Sequence, residues 1–296
     1  VPPLAIALVL VAAVLHAGWN VLVKTSADPL RAAVGLQWTA AVVLVPLAGV
    51  AWIAGGRQPL DPGGVALAAG SAGLETLYFI LLAAAYRRGG LSVVYPIARG
   101  TAPLLAVCVG VGLLGERLAP AGWLGVAALV GGILLVARPW QILGAPASPQ
   151  RGATGFALAT GAAIAAYSAV DRVGVRLLDP LTYAAVLALA TAVLLGGAAW
   201  VGRRWNPRVV ADTRRGGRRR TVAAGLLSAV AYLLVLIAYS IAPLAAVAPL
   251  REAGVVLAAS WGAIRLGETT AGRAAGVRIG ASALILAGAL LLAVNA

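Results

Sequence analysis

The sequence predicts an all-α integral membrane protein with ten transmembrane helices, arranged as two inverted five-helix repeats. Three observations carry this reading. Hydrophobic residues make up 61% of the 296 positions, charged residues 11%, and the mean hydropathy is +0.96; a soluble domain carries about 25% charge. Apolar runs near the length that crosses a bilayer core of about 30 Å recur along the chain. They are continuous rather than alternating, which argues against a β-barrel. Two passages of the first half return in the second at almost constant spacing.

The elements follow in order. The first helix, 3–23, is an apolar run closed by Lys24. The second, 31–54, opens after "SADPL" and stops at the turn-rich "GGRQPLDPGG" of 55–64. The third, 63–86, ends at "RRGG" (87–90). The fourth, 91–114, ends at Gly115 and Glu116, and the fifth, 119–137, at Arg138. A polar stretch, "RPWQILGAPASPQ", links residues 138–150 to the sixth helix, 152–171. The seventh, 180–201, opens at Pro180 after Asp179, and the eighth, 222–241, leaves an arginine-rich segment. A short break at 242–244 precedes the ninth, 245–266. The tenth, 272–294, runs to the end. Pro46, Pro96, Pro103 and Pro249 fall inside helices, which membrane helices tolerate when neighbours satisfy the freed backbone groups.

The duplication rests on two anchors. "HAGWNVLVKTSADPL" (16–30) aligns with "YSAVDRVGVRLLDPL" (167–181), and "LLGERL" (113–118) with "RLGETT" (265–270). Asp28 to Glu116 is 88 residues; Asp179 to Glu268 is 89. The halves are thus 1–137 and 151–296, joined by 138–150. An odd number of spans per half sets them in opposite orientations, an arrangement common among transporters with a site between repeats. The counterpart of "HAGWN" inside the second half marks the first segment as a permanent helix rather than a signal peptide, and that segment lacks a basic start.

Arginine placement sets the orientation. Lys24, Arg31, Arg87, Arg88, Arg138, Arg151, eight arginines of 203–220, Arg265 and Arg273 fall on one side; Arg57, Arg117, Arg172 and Arg176 fall on the other. The first side is expected in the cytoplasm and both termini outside. The stretch 203–220 carries net +7 of the chain's +14. It reads as a topogenic loop held inside beside anionic headgroups, with no nucleic acid as partner.

Catalytic signatures are missing. "GVGLLG" (110–115) fits a dinucleotide fingerprint, but it closes a membrane helix with no preceding strand. His16 is the only histidine and cannot seed a metal cluster. No enzyme activity, metal or cofactor is expected. Gly272, Gly276 and Gly280 share one helix face and allow close helix contact, either within the bundle or at a homodimer seam; the chain is expected as monomer or homodimer.

Ionisable groups inside spans are costly and tend to face a partner or a wet cavity. Glu75 lies between Asp61 and Arg87 with no other charge between them. It is a candidate for proton coupling or substrate binding, with Tyr78 and Phe79 one turn on. Arg99 and Arg251 occupy matching places in the two halves and suit an anionic group, or else snorkel or pair with Glu75 and Glu252. Glu252 points to a different face from Arg251. His16, Trp19 and Asn20 form a stripe whose counterparts include Tyr167 and Asp171; they line a pathway or bond neighbouring helices. Tyr95, Tyr232 and Tyr239 are interfacial or cavity aromatics. Glu116 and Glu268 close their helices.

With the duplication, ten helices and "LGE" late in each half, the chain resembles the EamA-type branch of the drug/metabolite transporter superfamily over nearly its whole length. The "HAGWN" opening with Lys24 is similar to a bacterial subgroup some of whose members occur beside phosphonate-use genes. The resemblance implies secondary transport, often export of amino acids and related metabolites. It also implies a central cavity bounded by the third, fourth, eighth and ninth helices. Glu75, Tyr78, Arg99, Arg251 and Glu252 lie on three of these. Relatives are drawn with both termini inside, against the charge count here. The expected protein is a multi-pass transporter of the bacterial cytoplasmic (inner) membrane, a proton-coupled exporter of a small amino-acid-like or anionic metabolite. A lipid-linked flippase of the same fold and a non-transporting membrane scaffold are the alternatives.

Overall fold

The computed structural model describes residues 1–24, 26, 29–88, 91–137, 149–205, 216–251 and 273–295. Among them every regular element is helical: α1 (Pro3–Lys24), α2 (Pro29–Ala54), α3 (Pro62–Arg88), α4 (Leu91–Gly112) and α5 (Pro120–Ala137), then α6 (Pro149–Gly174), α7 (Pro180–Trp205), α8 (Gly216–Ile241), α9 (Leu244–Arg251) and α10 (Arg273–Asn295). By length and composition α1, α2, α3, α6, α7 and α8 can each cross a membrane. Shorter apolar stretches lie in α4, α5 and α10.

Local chemistry explains the boundaries. α1, α2, α3, α5, α6 and α7 all begin at proline, which lacks the N–H that a first helical turn leaves unpaired. Aspartates cap two of these starts: Asp61 Oδ1 accepts from the Gly64 N–H at 2.7 Å, and Asp179 Oδ1 from Leu181 and Thr182 at 3.1 and 3.0 Å. Past α4 the chain turns through Gly115 at φ +67°, a conformation natural to glycine.

Three helices differ most from the sequence reading. α6 starts at Pro149, so the last two residues of the 138–150 stretch are its first turn. α7 runs on through Arg203 and Arg204. α8 starts at Gly216 and takes Arg218, Arg219 and Arg220 into its first turns. The basic segment is therefore partly helix, because arginine is a good helix former. The region of the ninth span beyond Arg251, including Glu252 and Glu268, lies outside the described residues.

The main packing runs between halves. α3 packs along α6 and α7, as α8 packs along α1 and α2. α4 meets α6 as α9 meets α1, while α2·α7, α4·α9 and α5·α10 each pair an element with its own counterpart. The α5·α10 seam is the tightest: Cβ atoms on Gly125 and Gly288 would fall 2.8 and 2.6 Å from each other's carbonyl oxygens. Gly280 instead faces open space, so the close approach runs through Gly125, Gly132 and Gly288 rather than through Gly280.

The surface is apolar where that of a soluble fold is polar, and a few polar side chains are buried in a mostly apolar core. Val42, Val50, Leu124 and Val294 are each at least 66% exposed, whereas Ser71, Asp171 and Thr191 are fully buried. Apolar side chains outward and polar ones inward suit a lipid surround.

Candidate functional site

Glu75 sits at the middle of α3 and is half-buried. Gln37 Nε2 of α2 donates to its Oε1 at 3.2 Å, and Thr191 Oγ1 of α7 to its Oε2 at 2.9 Å. Both donors are neutral, so the carboxylate is anchored by hydrogen bonds alone. Among the described residues no lysine or arginine forms an ion pair with it. Asp171 and Arg251 lie within electrostatic reach.

A second carboxylate lies one helical turn away along α3. Asp171 of α6 is fully buried. Its Oδ1 accepts from Ser71 Oγ of α3 at 2.5 Å and from Tyr183 OH of α7 at 2.9 Å. Its Oδ2 accepts from Tyr232 OH of α8. Four helices thus converge on one side chain. Gly174 makes room for this, since a Cβ there would land on the Tyr183 ring. A buried carboxylate needs such donors, because an unsatisfied one bears the full cost of desolvation.

The arginines occupy the same core. Arg99 of α4 and Arg251 of α9 are 5% and 3% exposed. Arg99 donates to His16 Nε2 at 2.9 Å. A guanidinium has no acceptor, so that nitrogen is the acceptor and the ring proton sits on Nδ1. The Arg251 guanidinium lies over the Tyr167 ring, 5.8 Å from its centroid, within cation–π range. His16 and Tyr167 are repeat counterparts, as are the two arginines. Each half therefore presents one arginine against one ring. Aromatic contacts continue from Tyr167 to Tyr78 at 6.1 Å and to Tyr232 at 6.3 Å, with Phe79 beyond Tyr78 at 4.8 Å.

Glu75, Tyr78, Arg99, Arg251, His16, Tyr167 and Asp171 are thus gathered in one core between the halves. Trp19 packs edge-on to His16 at 4.7 Å and is otherwise held by Leu36 and Ala224. Asn20 turns back on its own helix, donating to the His16 carbonyl at 2.8 Å. The side chain of Tyr95 and the whole of Glu252 lie outside the described residues. Glu116 leaves the core: it accepts from the N–H groups of Leu244 and Ala245 at 2.6 and 2.8 Å, capping α9. α6, absent from the expected cavity helices, supplies both Tyr167 and Asp171. Gln37, Ser71, Tyr183 and Thr191 were not among the candidates. The available signal was polarity within an apolar span, and for Ser71 a position one turn before Glu75.

Among the described residues no group of three or more His, Cys, Asp or Glu side chains could hold a metal. The arrangement offers two carboxylates, two guanidiniums and a chain of phenols, supplied by α3, α4, α6, α7, α8 and α9.

A solved structure recorded as "Crystal structure of protein" superposes with a TM-score of 0.72 at 23% identity, covering 98% of this chain and 97% of that one. That likeness concerns the fold. No curated protein matches the sequence. The model of the EamA-like transporter family matches twice, over residues 3–138 and 152–294. Both halves of this membrane protein carry the family's pattern, and the chain belongs to the EamA-like transporter family.

Proposed function

We propose that the chain is a secondary active transporter that exports a small amino-acid-like or anionic metabolite from the bacterial cytoplasm in exchange for protons. It spans the inner membrane ten times, as inverted repeats 1–137 and 151–296 joined by 138–150, with both termini outside. The observation that supports this most is the gathering of Glu75, Asp171, Arg99 and Arg251 where the halves meet. Burying four ionisable groups in a lipid-solvated bundle is costly, and a scaffold gains nothing from it. Arg99 and Arg251, one from each half, hold the acidic group of the cargo. Glu75, whose donors Gln37 and Thr191 are neutral, takes up and releases the proton. Rocking of the halves exposes the site to each side in turn.

Metabolites released by cells making the wild type are to be compared with those from cells making Arg99→Gln or Arg251→Gln at equal membrane abundance. The reading expects one compound outside with the wild type, reduced about tenfold or more in either variant, the scale of a lost charge-assisted hydrogen bond. Equal release from all three contradicts it. Specific copurification of a phospholipid or polyprenyl lipid, with no exported metabolite, favours the flippase.

A further inference from the structure

We infer that the last turn of α6 is a gate closing one mouth of the transport path, with Asp171 and its three hydroxyl donors as the latch. The inference rests on the transport reading above.

Two ties cross between the halves at this end. Asp171, from the second half, is held by Ser71 of the first as well as by Tyr183 and Tyr232 of its own. The next residue, Arg172, turns the other way and meets Glu116 of the first half, Nε to Oε1 at 3.8 Å. Glu116 in turn caps α9 of the second half. Each half therefore sends one carboxylate into the other. Both ties lie on one side of Glu75. Ser71 is one turn nearer the start of α3, and that start packs against Leu177 and Leu178 of the α6–α7 turn.

The duplication supplies an internal control. Under the offset of 151 that relates His16 to Tyr167, Asp171 corresponds to Asn20. Tyr183 corresponds to Ala32, and Ser71 and Tyr232 to Val222 and Leu81, or to Ala223 and Ile80 under the offset of 152 that relates the arginines. None of these side chains can donate a hydrogen bond, and Asn20 is bonded to its own helix. The latch is thus a departure from the repeat, present at one mouth and absent from the matching positions at the other.

The chemistry suits a gate that opens repeatedly. Hydroxyls are neutral, so parting them from Asp171 separates no opposite charges; the ion pair at this end, Arg172–Glu116, is long at 3.8 Å, and Glu116 keeps the α9 N–H groups as partners. In an open mouth, water replaces the three donors.

The test is substrate-free thiol labelling, so it stands apart from any failure to find an exported compound. Cys108→Ala removes the native thiol. Ser168→Cys then places a near-isosteric reporter on α6, one turn deeper than Asp171. A membrane-impermeant maleimide is applied to intact cells and to inverted vesicles, reaching the two faces separately. With the latch intact, labelling from the face carrying the 175–179 turn is slow. Tyr232→Phe, Ser71→Ala or Gly174→Ala, the last pushing Tyr183 aside, should each raise labelling from that face about fivefold to tenfold, the equilibrium worth of one hydrogen bond. Labelling from the opposite face should hold or fall. The inference is overturned if the intact protein already labels fast from the 175–179 face, if the variants leave that rate unchanged, or if both faces rise together, the mark of a loosened fold.

Discussion

Glu75 and Asp171 are both carboxylates inside membrane helices, and they are held in different ways. Glu75 is half-buried with two donors, from Gln37 and Thr191. Asp171 is fully buried with three. The more enclosed group suits a conformational tie, and the partly accessible one suits the proton. Thr191→Val keeps the shape and removes one donor from Glu75. Because that leaves a carboxylate oxygen short of a partner, it should destabilise the purified protein by about 1–3 kcal/mol, read as a lower thermal midpoint in detergent. An unchanged midpoint would mean that Glu75 turns to another donor. Glu75, Arg99, Arg251, His16, Tyr167 and Asp171 were legible in the sequence, since charge or aromaticity inside an apolar run stands out. Their neutral partners were not: Ser, Thr and Gln are tolerated in any membrane helix, and only packing shows which of them face a carboxylate.

At the scale of elements, glycines and caps decide how the helices meet. Gly125→Leu or Gly288→Leu drives a side chain into the facing backbone and should cost about 1–3 kcal/mol or more. Gly280→Leu, facing open space, should cost nothing measurable. Thermal unfolding of the three variants separates them; equal loss in all three would contradict the seam. Gly110→Ala offers a parallel test at the α9 cap. A Cβ there would collide with the Glu116 carboxylate, so it should cost about 0.5–2 kcal/mol, as loss of a cap does. Glu116→Gln leaves an amide oxygen to accept one N–H but removes the charge facing Arg172, so it should cost at least as much. Pro180 after Asp179 was readable as a helix start, whereas Pro29, Pro62 and Pro149 were passed over by one to three residues. The extra turns of α7 and α8 were not, because arginines read as a loop by charge while they extend a helix by propensity. Of the stripe Gly272, Gly276 and Gly280, the surroundings of the first two lie outside the described residues; spacing shows which glycines share a face, not which face meets a neighbour.

For the whole molecule, the duplication organises both fold and site. Counterpart helices pair across the halves, and each half brings an arginine and a ring to the centre. Where the repeat is broken, at Glu75, whose place in the second half is taken by leucine (Leu226 or Leu227), and at the Asp171 latch, the proposed transport roles concentrate. Orientation rests on the arginines. A C-terminal reporter active only in the periplasm should be active, and neutralising the arginines of 203–220 should weaken that preference. A cytoplasmic C-terminus would invert the proposed direction of the gate and leave its chemistry in place. The central claim, that Glu75 drives export, is tested most directly by comparing metabolites released from cells making the wild type and Glu75→Gln at matched membrane abundance. The account predicts one compound accumulating outside with the wild type alone while the variant stays folded. Identical profiles, with that compound still exported by Glu75→Gln, would contradict it.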